Sequence, residues 1–341
     1  MKREELLNRY RYRVPDQKKK RVIIHTDAKN EADDQFAIVH HLITPYLDVK
    51  GIIGAHFEEK YGFWFAANEQ HLRGTSMRQS VDEIKKVLEM MELEDVPAWD
   101  GAKGPLGQSI DYVAEYLDEK GNLKEEKRTE LAALLPESEG ADQIIKETMK
   151  DDPHPLFVTC LGGITDLAVA YLKKPEIADK MTMIWIGGGV YPHGNLEFNL
   201  HQDIRAAQIL FASPMKIWQI PQSTYTQMMT TLAELECKVL PYGRIGAYLF
   251  EQMEEFNRYM AEGWPHGENW CIGDMATVAV LMDEGMEGVE YTTIRAPKIN
   301  LDESYSTETY ENEIRVYQTV HDRMTFEDFF CKLSRLYRIQ E

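Results

Sequence analysis

Short apolar runs alternate with helix-periodic segments along most of this 341-residue chain, and that alternation restricts its fold more than any other feature. Arg21–His25 (RVIIH), Val49–Ala55 (VKGIIGA), Leu156–Cys160, Met181–Ile186 (MTMIWI) and Met215–Ile220 have the length and apolar content of strands. Asp33–Ile43 carries Phe36, Ala37, Val39 and Leu42 at helical spacing, and Ser80–Met91 sets Ile84, Val87, Leu88 and Met91 on one face. Asp166–Leu172, Asp203–Ala212, most of 232–262 and Ala276–Met282 read as further helices. Strands followed by helices build a mostly parallel central sheet flanked by helices, so the expected class is α/β with a Rossmann-like core. No internal repeat and no Ser/Gly/Pro linker divides residues 21–341, which read as one domain. Residues 1–20 read as a polar leader with one helix ending before Pro15, and 101–140 as a long excursion or lid.

Hydrophobic residues make up 43% of the chain, enough for a full core. The formal charge is 38 − 57 = −19, which argues against nucleic acid or an anionic membrane face as a partner. A small neutral substrate or a divalent cation stays compatible with it. Cys160, Cys237, Cys271 and Cys331 form no CxxC pair, and reduced thiols in a cytoplasmic protein are expected. The N-terminal residues lack an apolar h-region, and no apolar run is long enough to span a bilayer.

The segment HTDAKNEADDQFA, residues 25–37, sits where a strand ends and a helix begins. Ligands of open α/β folds gather beyond the carboxyl ends of strands. Close carboxylates raise one another's pKa, and a hard cation that prefers oxygen ligands relieves the repulsion. An EF-hand fails here: Lys29, Ala32 and Ile38 stand where an acid, a glycine and the closing glutamate are needed. The plainer alternative is that Asp33 and Asp34 cap the helix.

Asp27, Asp33, Asp34 and Ala37 resemble the DxDPGxDDxxA loop of the nucleoside hydrolase family, including its nucleoside-hydrolase-like branch. Three further stretches match in order. LGGITDLA (161–168) is similar to TGxLTNxA, IGGGVYPHGNLEFN (186–199) to MGG…GN…EFN, and GDMATVAVLMD (273–283) to HDxxAVAxxxDP. The resemblance implies a nucleoside hydrolase-like fold and an N-glycosyl hydrolase with calcium as cofactor, acting in nucleoside salvage. It implies metal ligands at Asp27, Asp34, Asp274 and the Leu161 carbonyl. Asp27 would take the proton of the attacking water. Asp33, Glu197, Asn199, Asp274 and Asn195 would bind the sugar. A small-molecule riboside and a homo-oligomer, dimer or tetramer, are the expected partners.

The chain also departs from the pattern. AKNEA makes the loop two residues longer, and His25 stands where the family carries Asp. Gly273 replaces the histidine that protonates the departing base, and GAHFEEKYG (54–62) lacks the asparagine after the second strand. The leaving group is therefore open. Its candidate contacts are His56, Phe57, Trp64, Tyr225, Trp264, His266 and Trp270, each of which has a competing reading as core aromatic or loop histidine. Gly187–Gly189 fits tight backbone approach better than phosphate binding, and Asp203 fits a helix N-cap. Two rival functions stand beside the leading one: hydrolysis of a different riboside on the same metal–ribose platform, and calcium-dependent ribose binding without turnover.

Overall fold

The computed structural model describes residues 1–261, 267–283 and 290–338. Trp264 and His266 lie outside the described residues. The strands are β1 (Lys20–Thr26), β2 (Leu47–Gly54), β3 (Ala98–Asp100), β4 (Leu156–Cys160), β5 (Met181–Ile186), β6 (Lys216–Ile220), β7 (Met229–Thr231), β8 (Asn269–Cys271), β9 (Tyr291–Ile299) and β10 (Tyr305–Tyr317). Eight form one sheet in the order β3-β2-β1-β4-β5-β6-β10-β9, and β7 pairs with β8 beside it. Every neighbouring pair in the large sheet is parallel except β9 with β10.

The five strands expected from apolar runs are β1, β2, β4, β5 and β6, each placed to within two residues. They are the central strands, and helices cover both their faces. Val22, Ile24, Ile184 and Ile186 point into one core with the helices Asp34–Ile43, Ser76–Met90 and Ala276–Met282. Ile23, Val158, Met183 and Trp185 point into the other, with Glu139–Thr148, Thr165–Lys173 and Ile204–Ala212. Burial on both faces explains why these strands lack polar alternation.

Strand order reverses between β1 and β4, because β2 and β3 extend the sheet to one side and β4, β5 and β6 to the other. The loops leaving the carboxyl ends of β1 and β4 therefore part in opposite directions and leave a crevice.

Two segments behave differently from their composition. Residues 1–20 hold a short helix at Arg3–Leu7 and a turn at Asp16–Lys18, and Leu6 and Tyr10 are buried in the first core. The Arg3 guanidinium donates to the carbonyls of His41, Leu42, Thr44 and Leu47 at 3.2, 2.8, 3.1 and 2.7 Å. It thus satisfies carbonyls that the end of the helix Asp34–Ile43 leaves unpaired. The stretch 101–140 is not a lid: Tyr112, Tyr116, Leu117 and Leu131 are buried in the second core. Its aromatic anchors, diluted by Gly, Glu and Lys, fasten it there. Among the described residues no helix is long and apolar enough to cross a membrane.

Candidate functional site

The crevice holds an acidic cavity built from segments far apart in sequence. Asp27, Glu31, Asp33 and Asp34 line it from the loop after β1, and Leu161 from the end of β4. Ile186, Glu197, Phe198 and Asn199 follow β5, Tyr225 follows β6, and Gly273 and Asp274 follow β8. No residue of 101–140 lines it.

Asp33 occupies the N-cap position of the helix Asp34–Ile43, yet its side chain makes no capping bond. Its Oδ2 accepts the Asp274 amide instead, at 3.2 Å. The capping alternative therefore fails for Asp33. Asp34 accepts the Thr26 hydroxyl, which aims it back toward β1. One carboxylate oxygen each of Asp33, Asp34 and Asp274 lies within 4.8 Å of the others. Asp27 lines the same cavity but stands outside this triad, so the closest grouping exchanges Asp27 for Asp33 relative to the expected metal ligands. Asp27 rests on backbone: a Cβ at Gly162 would lie 2.5 Å from its Cγ.

Among the described residues no cationic side chain lines the cavity, although Lys60 nearby offsets part of the rise at Glu31. Burial, then Asp34 and Glu31, holds Asp27 well above the usual carboxylate range. Burial pushes Asp33 up to about 6, and burial with Asp33 beside it pushes Asp34 up to about 8. Asp274 and Glu31 are raised well above their usual values by burial first and by the neighbouring aspartates second. Carboxyls this crowded and dry favour protonation unless a cation joins them. Acidic oxygens at this spacing suit a hard divalent ion.

The opposite wall is held by hydrogen bonds. Glu197 Oε2 accepts the amides of Gly188 at 2.7 Å and Leu200 at 2.9 Å, and Oε1 accepts the Tyr225 hydroxyl at 2.9 Å. Gly188 has φ +85, so the glycine run serves backbone approach, as expected. Asn199 Nδ2 donates to the carbonyls of Leu161 at 2.8 Å and Ile186 at 2.9 Å, tying β4 to β5.

Not every expected residue reaches the cavity. Asn195 lies outside its lining and bonds to the Val190 amide, the Leu196 carbonyl and Gln222. His56 is buried behind the crevice with Nε2 2.8 Å from Thr165 Oγ1. The Thr165 hydroxyl donates to Asp203 at 2.6 Å, so His56 Nε2 is the donor in that pair. Asp203 caps Ile204–Ala212 through the Ala206 amide, as expected. Trp270 is fully buried and packs edge-on against Phe256. Trp64, 70% exposed, lines a second, mostly apolar cleft with Phe65, Phe256 and Met260. That cleft shares Glu31, Phe198 and Tyr225 with the acidic cavity. Glu31 was not foreseen as a lining residue; its position in the lengthened loop was the available signal. Gly273 is explained by Tyr225: a Cβ there would lie 2.9 Å from Tyr225 Cδ2.

A parallel α/β sheet with a carboxylate-lined crevice at its switch point defines the class: an α/β protein with a cation-ready site at the carboxyl ends of its strands. Residues 73–328 match the family model described as inosine-uridine preferring nucleoside hydrolase, and the chain belongs to that family. The matched region begins after the aspartate loop, whose place in the site rests on geometry alone.

Among curated proteins, the pyrimidine-specific ribonucleoside hydrolase RihA of Salmonella arizonae is 26% identical over 189 residues, 54% of this chain and 55% of the relative. RihA of Escherichia coli O127:H6 matches equally. The aligned region thus spans about half the length of these relatives. Among solved structures, a purine-preferring ribonucleoside hydrolase from Gardnerella vaginalis superposes with a TM-score of 0.67 at 19% identity, covering 94% of this chain and 100% of that one. A plant nucleoside hydrolase superposes with a TM-score of 0.64 at 19% identity, covering 94% and 99%. These superpositions establish the shared fold.

Proposed function

We propose that this protein hydrolyses the N-glycosidic bond of a ribonucleoside or related riboside, with calcium held among Asp27, Asp33, Asp34, Asp274 and the Leu161 carbonyl. The observation that carries this reading is the convergence of those carboxylates with Glu197 and Asn199 on one cavity. The donor set fits the ion: buried acidic oxygens grouped within 4.8 Å, with no cationic side chain in the lining among the described residues. Calcium, when bound, supplies the positive charge that lets these carboxyls ionise together and polarises the oxygens it touches.

The chain's own residues do the rest. Asp33, Glu197 and Asn199 hold sugar hydroxyls and fix the ring, a positioning contribution. The carboxylates face the positive charge that develops on the sugar in an oxocarbenium-like transition state. Asp27 accepts the proton of the attacking water on a carboxylate oxygen. The leaving group lies toward the apolar cleft of Trp64, Phe65, Phe198 and Tyr225.

One observation favours a second reading. Residue 273 is a glycine packed closely under Tyr225, where a Cβ would lie 2.9 Å from the ring, so this position supplies no acid to the leaving group. This suits a riboside whose leaving group departs with little help. A substrate panel separates the two. Calcium-dependent release of base from inosine, uridine or adenosine supports the first, whereas hydrolysis of p-nitrophenyl riboside alone supports the second. Calorimetric ribose binding with no hydrolysis of any riboside would sink both.

A further inference from the structure

The hairpin joining β9 to β10 carries a buried acid near its tip. Glu303 is 3% exposed and has φ +65. Glycine adopts that left-handed conformation freely, and residues with side chains rarely do. The turn is internally bonded: the Asn300 amide donates to the Ser304 carbonyl at 2.9 Å and the Glu303 amide to the Asn300 carbonyl at 3.0 Å. Ser304 N and Oγ both donate to Asp302 Oδ1, at 3.1 and 2.5 Å.

This turn docks on the loop that leads into the sugar-side residues. Ser304 bridges to Gly194, and the Tyr305 amide donates to the His193 carbonyl at 2.8 Å. A Cβ at Gly194 would lie 2.7 Å from the Glu303 carbonyl oxygen, so the approach depends on glycine there.

From this tip the Glu303 carboxylate makes two bonds. Oε2 accepts the Glu197 backbone amide at 2.8 Å, and Oε1 lies 2.6 Å from His201 Nδ1. Glu197 precedes the short helix Phe198–Gln202 and His201 sits in its last turn. One carboxylate thus grips both ends of the segment that carries Glu197 and Asn199. The grip extends to the aromatic cleft, since the Phe63 ring meets His201 edge-on at 5.1 Å and stacks on Phe198 at 5.5 Å.

We propose that Glu303 is a positioning residue for Glu197 and Asn199. It sets the backbone of their segment so that both side chains meet the sugar, and its strained conformation persists because those two bonds need a side chain at that point. The proposal rests on the reading of Glu197 as a sugar ligand.

Steady-state hydrolysis and calorimetric ribose binding on the full chain with calcium test it, using Glu303→Gly, Glu303→Gln and Glu197→Gln. Glycine eases the backbone and removes both bonds, whereas glutamine keeps an acceptor for the Glu197 amide. Glu303→Gly is expected to lower kcat about 10- to 100-fold and to weaken ribose binding, with calcium affinity and circular dichroism unchanged. Glu303→Gln is expected to stay within about fivefold of the wild type by the same reasoning. Wild-type kcat and ribose affinity in Glu303→Gly, or an equal loss in both Glu303 variants, would overturn the positioning role. Should Glu303→Gly fail to fold, His201→Leu removes one of the two bonds, and wild-type kcat in that variant overturns the proposal. Wild-type turnover and ribose affinity in Glu197→Gln would instead overturn the sugar-site reading, so the two failures are distinguishable.

Discussion

His25 Nε2 lies 2.8 Å from Asp166 Oδ2, and both side chains are completely buried. The pair joins the end of β1 to the first turn of the helix Thr165–Lys173, and neither side chain lines the acidic cavity. The two buried groups satisfy each other. Burial alone would raise Asp166, but the bonds from His25, Ser138 and Ala102 outweigh it and hold this carboxyl below the usual range. The pair sits directly behind the cavity, because the His25 carbonyl accepts the Leu161 amide at 2.8 Å and Asp27 follows two residues later.

Breaking such a pair leaves an uncompensated buried polar group. Asp166→Asn and His25→Asp are each expected to destabilise the protein by about 3 kcal/mol, the second by setting two buried carboxyls together. The double substitution His25→Asp/Asp166→Asn is expected to recover more than half of the summed loss. Denaturant melts of the three variants check this, and strictly additive losses would show that the two residues act independently.

Asp27→Ala is expected to cut turnover about 100- to 10,000-fold, the range for losing a general base, while leaving circular dichroism unchanged. Stability should hold or rise in the calcium-free protein, because one member of a repelling buried cluster is gone. Unchanged turnover would remove Asp27 from the chemistry.

Calcium should reshape the dependence of stability on pH. In the calcium-free protein Asp33 and Asp34 keep their protons up to about 6 and about 8. The unfolded chain releases them near 4, so the stability these groups lend at low pH is lost as pH rises through 6 and 8. Buried His40, His41 and His56 act the other way, with burial lowering them to about 4, about 3 and about 4. Their contribution is present above 6.5 and lost as pH falls toward 4. Calcium-free protein is therefore expected to lose stability as pH rises from about 6.5 toward 8, with saturating calcium raising Tm most on that alkaline side. Scanning calorimetry between about pH 5 and pH 9, with chelator and with calcium, measures it. An alkaline limb indifferent to calcium would count against the metal assignment.

Tyr225 connects the sugar wall to the leaving-group cleft. Tyr225→Phe removes the hydroxyl that Glu197 accepts and is expected to lower kcat about tenfold, the worth of one bond to a charged group. Gly273→Ala presses a methyl group to within 2.9 Å of the same ring and is expected to raise KM as the ring shifts. Progress curves on the best substrate of the panel give both constants.

What could be read from residues alone was whatever buries both faces or repeats a short motif. β4 and β5 are legible to the residue because each is a short, almost wholly apolar run broken by a single threonine. β9 and β10 escaped because Thr, Glu, Lys and Asn interrupt their apolar residues at a half-exposed sheet edge. Glu303 escaped with them, since nothing within the sequence of a polar hairpin tip points toward Glu197, 106 positions earlier. Asp33 was legible as a site residue, but its bond to the Asp274 amide was not, because a capping role predicts the same residue at the same place. Asn195 and His56 show the opposite limit: the right segment was named, and packing turned the side chain elsewhere.

The bond between Asp33 and the Asp274 amide spans 241 residues. During synthesis the aspartates of the first loop leave the ribosome long before the segment that completes their cavity, and the tip holding Glu303 follows later still. Until then those carboxylates are hydrated and apart, and their mutual repulsion costs little. The electrostatic penalty of gathering them falls on the final stage of folding, when closing such a long loop is slow. A divalent ion that joins the carboxylates as they gather would offset that penalty, so the cost of building the cavity depends on when the ion arrives.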